Sequence, residues 1–316
     1  MRDSGSTGNA SELRVSVIVP VFNAARTLAR CLERLSRMDF PAAGREIVLV
    51  DNGSSDESPA LCRQFAQRTA GVRLVQCVQP GPAAARNAGA RAAAGRWLAF
   101  TDSDCFVQRA WLTWLIRGAE RAEAAANGRW TAVGGRIGVW GARRAALFSW
   151  YERRRFLNQE KFLREPRPGF RPFFATANLA VRRVVFERLG GFDSALLAGE
   201  DADLCWRLQD AGGLLAWEPR AVVWHRFSGR PADLFSAAAK YGAGVRQLQQ
   251  KYPGRFPPLV RLEPERWGWL LKAAVKAPVA RVIRAGDPMR RHDAWFDLLS
   301  NAGYLWGRWC SAPRRR

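Results

Sequence analysis

Asp102-Ser103-Asp104 places two carboxylates two residues apart, directly after the apolar run WLAFT (97–101). Side chains two apart on an extended segment point the same way, so both carboxylates can face one point. Paired hard oxygens suit Mg2+ or Mn2+, with phosphate oxygens and water completing the shell. An Asp-x-Asp pair also occurs in ordinary surface loops, so the triplet alone leaves both readings open. Two further polar turns follow apolar runs in the same manner: Pro20-Val21-Phe22-Asn23 and Asp51-Asn52-Gly53-Ser54. Asn, Asp, Gly and Ser populate turns for local reasons. Three such turns on one sheet edge favour a site.

Two later features could complete a reaction. Glu200-Asp201 open a helix, where carboxylates gain from the helix dipole whether or not they do chemistry. The alternative is a general base that takes a proton from a hydroxyl. His225 ends the run AVVWH (221–225) and is one of only two histidines. A lone histidine is ordinarily structural, but a strand end beside a carboxylate pair shifts that balance.

The elements that must position these groups are legible over the first hundred residues as βαβαβαβ. VSVIVPV (15–21) is β-branched and too short for a buried helix. The next stretch puts Leu28, Cys31, Leu32 and Leu35 on one helical face, with Arg26, Arg30, Arg34 and Arg37 as a solvated stripe opposite. EIVLV (46–50), VRLVQ (72–76) and WLAFT (97–101) read as strands, separated by a helix over 59–69 and an alanine-rich helix closed by Gly95. This alternation implies an α/β fold with a mostly parallel sheet flanked by helices, and ligands in such sheets bind outside the carboxyl ends of the strands. Beyond residue 120, TAVGGRIGVW (131–140) reads as a strand pair or a bent strand. EDADLCWRLQDAGG (200–213) reads as an amphipathic helix with Leu204, Leu208 and Ala211 inward, and LLAWEP and AVVWH as two short strands.

The 316 residues are 48% hydrophobic, enough for a sizeable core in one large domain or one and a half. The first fourteen are polar, lack an apolar segment of the secretory kind and are expected to form a floppy tail. Six cysteines without a CxxC pair argue against a zinc cluster or disulfide framework and predict buried thiols. No run of the length needed to span a bilayer occurs. The net charge of +22 attracts phosphates on small nucleotides, anionic lipid or nucleic acid without choosing among them.

From residue 15 to about 228 the chain resembles the family 2 glycosyltransferases, non-processive and bacterial-type, of GT-A fold. The resemblance rests on ordered pieces: VSVIVPVFNA, EIVLVDNGSSDES, GPAAARNAGARAAAGRWLAFTDSDC, VGG (133–135), ATANLAVRR, GGFD (190–193), and GEDADLCWRLQDAGG with AVVWH. It implies an inverting, metal-dependent transfer from a nucleotide diphosphate sugar, UDP or dTDP favoured, to a hydroxyl acceptor, lipid-linked or part of a cell-envelope glycan. By that resemblance Asp51 recognises the nucleobase, with Pro20 and Asn23 lining its pocket, while Arg86 and Asn87 help hold the nucleotide. Asp102 and Asp104 match the metal and ribose-diphosphate triplet, with Asp104 the direct ligand of Mg2+ or Mn2+. Asp201 matches the catalytic base and Glu200 is the fallback. His225 matches a histidine that approaches metal or diphosphate, and Asn178 and Arg182 fall in a segment near sugar or acceptor. The Gln-x-x-Arg-Trp element of processive synthases is missing, since 247–252 reads QLQQKY, and transfer of one or a few sugars is expected.

Residues 229–316 form a basic, aromatic helical extension in this reading, with WGWLLKAAVKAPVARVIRA (267–285), AWFDLLSNAGYLWGRW (294–309) and a PRRR end. Basic helices carrying tryptophan suit an anionic membrane surface, and the alternative is packing on the catalytic domain or a second subunit. The expected location is cytoplasmic, with peripheral contact at the inner face of the membrane. A basic nucleic-acid- or membrane-binding protein on a degenerate nucleotide-sugar fold is the competing reading, but the arginines are dispersed and no nucleic-acid motif appears. A sugar-nucleotide pyrophosphorylase would need a glycine-rich loop between residues 19 and 30, where VPVFNAARTLAR stands.

Overall fold

The computed structural model describes residues 14–141, 146–165, 169–256 and 292–310, with a few single positions between 268 and 290. The terminal tail (1–13), most of 267–285 and the arginine end therefore lie outside the described residues. In chain order the elements are β1 (Val15–Val21), α1 (Ala25–Ser36), β2 (Arg45–Asp51), α2 (Ser58–Arg68), β3 (Val72–Gln76), α3 (Pro82–Ala92) and β4 (Trp97–Phe100). Then come β5 (Cys105–Val107), α4 (Trp111–Ala125), β6 (Thr131–Trp140), α5 (Ala146–Arg153), α6 (Gln159–Arg164), β7 (Leu179–Arg182) and α7 (Arg183–Arg188). The last are α8 (Glu200–Asp210), β8 (Leu214–Arg226), α9 (Pro231–Lys251) and α10 (Asp293–Cys310).

One eight-stranded sheet runs in the order β3-β2-β1-β4-β7-β6-β8-β5. Its first four strands are parallel, as the alternating pattern predicts. The second half is mixed: β7 is antiparallel to β4 and β6, β8 is parallel to β6, and β5 is antiparallel to β8. β1 is buried on both faces, which is why it reads as a continuous apolar run without alternation. Two hydrophobic clusters flank the sheet. One packs α1 and α4 on the first face, through Leu28, Cys31, Leu32 and Leu35 of α1. The other packs α3, α7 and α8 on the second face. α3 is alanine-rich because it lies close: a Cβ on Gly89 would come within 2.6 Å of Ile18 Cγ2.

The sequence leaves the 131–140 segment open, and the structure makes it one strand. LLAWEP and AVVWH, expected as two strands, are also one, and the interruption between them is absorbed as a bulge. The register jumps from Gly135↔Glu218 to Arg136↔Val222, so Pro219, Arg220 and Ala221 are surplus on β8. Asn178 holds this irregularity: its Nδ2 donates to Arg136 O at 3.0 Å and Ala221 O at 2.8 Å, and its Oδ1 accepts from Trp111 Nε1 at 2.8 Å. In α8, Leu204 and Leu208 are buried as expected. Ala211 is exposed just past the helix end, and the inward face is completed by Cys205 and Trp206.

The two long described helices of the basic extension, α9 and α10, pack on the rest of the chain. Asp297 of α10 accepts from Trp150 Nε1 at 2.9 Å and from Arg154, and Asp293 pairs with Arg153. α9 and α10 meet along glycines: Gly242 faces the Tyr304 carbonyl, Gly303 that of Phe235 and Gly307 that of Ala239. All six cysteines are free, five of them buried and Cys310 exposed. Among the described residues no helix is long and apolar enough to cross a membrane. Because a Cβ on Gly307 would overlap the Ala239 carbonyl oxygen, Gly307→Ala is expected to lower stability by ~1–3 kcal/mol. Urea unfolding of the two chains measures this, and equal midpoints would show that the helices part without cost.

Candidate active site

The carboxyl end of β1 delivers Pro20 and then Asn23, which takes a left-handed conformation (φ 47°) that asparagine tolerates better than most residues. Its Oδ1 accepts from Ser55 N at 2.8 Å, and its own N–H donates to Ser54 Oγ at 3.1 Å. At the end of β2, Asp51 is buried and its Oδ1 accepts from Ser54 N at 3.2 Å, closing a turn through Gly53 at φ 78°. Asn52 reaches the next loop, donating to Cys77 O and Gln79 O and accepting from Gly81 N. The polar residues of these two turns are thus largely engaged in building one another, and they bring Pro20, Asn23 and Asp51 to one edge. The second carboxylate oxygen of Asp51 has no hydrogen bond to a described residue.

Arg86 is the centre of the second group. It is 5% exposed on α3, at the end of the same sheet edge. Nη2 donates to Asp102 Oδ1 at 2.6 Å and Nη1 to Glu200 Oε1 at 2.8 Å. Burial works to lower its pKa, but the charges of Asp102 and Glu200 outweigh that and hold it above the usual arginine range. One guanidinium therefore ties the start of α8 to the end of β4. Neighbouring Asn87, expected to hold nucleotide, instead clamps a loop: its Nδ2 donates to Phe192 O at 2.8 Å and its Oδ1 accepts from Phe192 N at 2.9 Å.

The antiparallel pairing of β5 with β8 sets Cys105 opposite His225, which brings His225 Nε2 to 3.5 Å from Asp104 Oδ1. Ligand atoms of Asp102, Asp104, Cys105 and His225 all lie within 4.8 Å of one another. Sequence reasoning omitted Cys105, although it directly follows the triplet. Burial and the charges of Asp104 and Asp102 push its thiol up, and a soft sulfur is poorly matched to Mg2+ or Mn2+, so two carboxylates and an imidazole are the better-suited donor set for such a cation. Three buried polar atoms at or beside this group lack a partner among the described residues: Arg86 Nε, Thr101 Oγ1 and His225 Nδ1. A buried polar atom without a partner calls for a water, an ion or a ligand, and three of them gather here. His225 stacks on Phe227 with centroids 4.4 Å apart, which fixes the ring plane.

Asp201, first-turn neighbour of buried Glu200, accepts from Ala202 N at 2.8 Å. Its carboxyl is pushed up to about 7, by desolvation first and then by the negative charge of Glu200. That is a suitable range for a base working near neutrality. Two residues that the resemblance brings near sugar or acceptor stand elsewhere. Asn178 is fully buried with its amide spent on the β6–β8 bulge. Arg182 pairs in register with Trp97, at the opposite end of β4 from Asp102, and its Nε lies 2.7 Å from Glu123 Oε1.

Residues 16–190 match the family described as Glycosyl transferase family 2, and residues 115–307 match Glycosyl transferase family group 2. The pre-mycofactocin glycosyltransferase of Mycobacterium tuberculosis is 31% identical over 260 residues, covering 81% of this chain and 52% of that protein. The chain thus spans about half the length of that relative. Glycosyltransferase AglE of Haloferax volcanii is 30% identical over 245 residues, covering 74% of this chain and 73% of its own. Among solved structures, mannosyltransferase PcManGT from Pyrobaculum calidifontis in complex with GDP-Man and Mn2+ aligns with a TM-score of 0.62 at 20% identity, over 95% of this chain and 88% of that one. That likeness is one of fold.

Removing Arg86 would strand two carboxylates that now share one buried cation. Arg86→Met is expected to cost ~3–5 kcal/mol of stability, read as a shift in the denaturant midpoint. Wild-type stability in that variant would mean the bridge is not what holds α8 to the sheet.

Proposed function

The chain belongs to glycosyl transferase family 2 and has the GT-A fold, and from that premise we propose an inverting, metal-dependent transfer of a sugar from a nucleoside diphosphate to a hydroxyl acceptor. The observation that carries this reading is the double bridge of Arg86, which brings the Asp-Ser-Asp triplet and the Glu200-Asp201 pair to one place. Asp51, with Pro20 and Asn23, takes the nucleobase at the far end of the same edge. Asp201 accepts the proton of the acceptor hydroxyl, and that oxygen attacks the anomeric carbon. The bond from the anomeric carbon to the diphosphate breaks on the opposite side, the nucleoside diphosphate leaves, and the configuration inverts. Asp102, Asp104 and His225 would hold Mg2+ or Mn2+, whose charge offsets that of the departing diphosphate. Burial first, and then the charge of Arg86-bound Glu200, keep Asp201 in its raised range, and fixing both substrates supplies much of the rate. The complex of the Pyrobaculum enzyme with GDP-Man and Mn2+ supports a sugar nucleotide with a divalent ion. A UDP or dTDP sugar remains the favoured donor on family resemblance.

The acceptor is proposed to be lipid-linked, on the strength of one surface. Trp295, Trp306 and Trp309 of α10 are exposed and fall on one helical face, while Asp297 and Arg308 are buried and Asp293 pairs with Arg153. An outward face of tryptophans without charge, on a chain of net charge +22, suits the headgroup layer of an anionic membrane. Flotation with phosphatidylcholine vesicles, with and without phosphatidylglycerol, is expected to recover the chain only with the anionic lipid and to lose it on Trp306→Ala/Trp309→Ala. Equal recovery of that double variant would remove α10 from the contact.

Two substitutions separate the roles. Asp104→Ala is expected to abolish Mn2+-dependent binding of nucleotide, whereas Asp201→Ala keeps binding and loses transfer by about 100-fold or more, the scale of general-base contributions. A raised carboxyl is ionised, and competent as a base, only above its own pKa. The transfer rate should therefore fall as pH drops through about 7. Full transfer by Asp201→Ala, or a rate flat from pH 6 to 8, would be incompatible with the assignment of the base.

A further inference from the structure

Tyr241 lies on α9, one turn before Gly244. Gly244 packs so closely on the Ala198 carbonyl that a Cβ there would overlap its oxygen, and Leu248 covers Gly199. Gln247 between them accepts from Leu197 N at 2.7 Å and donates to Ala195 O at 3.2 Å. Positions 241, 244 and 248 share a helix face, so this docking carries Tyr241 to the loop that leads into Glu200 and Asp201. On its other side the ring meets Phe156, with centroids 6.2 Å apart. Phe156 packs on Phe227, which stacks on His225. The tyrosine thus stands between the start of α8 and the strand end that carries His225.

The residue as a whole is 40% exposed, and its hydroxyl has no hydrogen-bond partner among the described residues. Desolvation of the phenol, then the charges of Asp201, Glu200, Asp102 and Asp104, push its pKa up. The group therefore remains an O–H donor at neutral pH. Those four carboxylates belong to both ends of the site, the base end and the diphosphate end. In an in-line displacement the transferred sugar lies between the two.

We propose that Tyr241 is a sugar-positioning residue: its hydroxyl donates to the sugar of the bound nucleotide sugar, so that α9, outside the nucleotide-binding sheet, forms part of the donor pocket. This rests on the donor reading given above. The aromatic ring contributes a flat face against the sugar, and the hydroxyl contributes direction.

The test is titration calorimetry of the full chain with Mn2+, using UDP against UDP-glucose, dTDP against dTDP-glucose and GDP against GDP-mannose as probes. For whichever pair binds, Tyr241→Phe is expected to weaken the sugar nucleotide about fivefold, the worth of one neutral hydrogen bond, and to leave the bare diphosphate unchanged. Tyr241→Ala should weaken the sugar nucleotide further, again sparing the diphosphate. Tyr241→Phe keeps the ring that packs on Phe156, and its near-UV circular dichroism checks the fold. Equal weakening of sugar nucleotide and diphosphate, or no change in either, overturns the proposal alone. A wild-type chain that binds none of the pairs overturns the donor reading, and this proposal with it.

Discussion

Everything at the site depends on one buried guanidinium. Arg86 joins carboxylates that the chain separates by about a hundred residues, Asp102 at the end of β4 and Glu200 at the start of α8. Taking three charges out of water is costly, and the arrangement is stable only because each is met by an opposite charge at hydrogen-bond distance. The rest of the second face serves this meeting. α3 must approach the sheet closely, which its alanines and Gly89 allow. The loop at Gly190–Asp193 lies against the guanidinium, with the Phe192 ring centred 6.0 Å from it, and the two hydrogen bonds of Asn87 to Phe192 hold it there.

What was legible in the sequence was what local pattern dictates. The four parallel strands, the buried face of α1 and the three polar turns at strand ends all follow from periodicity and turn chemistry within a short window. What was not legible depends on partners distant in the chain. Nothing near His225 indicates that β8 pairs antiparallel with the three-residue β5, yet that pairing brings the imidazole beside Asp104. Pro219 looked like a strand break, but Asn178 and the buried Glu218 stabilise the surplus residues without ending the strand. Asn178 illustrates the same limit from the other side. Its position in a resembling segment suggested substrate contact, and only tertiary contacts reveal that its amide is fully used by backbone.

The charge of the chain takes on a different meaning once partners are visible. Many arginines are not a diffuse field but fixed parts of the scaffold: Arg207 bonds Asp203 and two loop carbonyls, Arg154 holds Asp297, and Arg220 folds onto Glu218 while lying over Trp114. The solvated stripe of α1 remains, with Arg30 resting over Trp140. Positive charge therefore does two jobs here. It neutralises buried carboxylates inside the fold, and the remainder colours the surface.

The glycine contacts between α9 and α10 bring backbone against backbone, with no side chain in between to change rotamer. A joint of that kind has little compliance, so the two helices move as one strut. Midway along α9 stands Tyr241, and along the outer side of α10 run three exposed tryptophans. A surface that met those tryptophans would stand at a distance from the Asp102–Glu200 cluster fixed by the two helices, with no soft layer between to vary it.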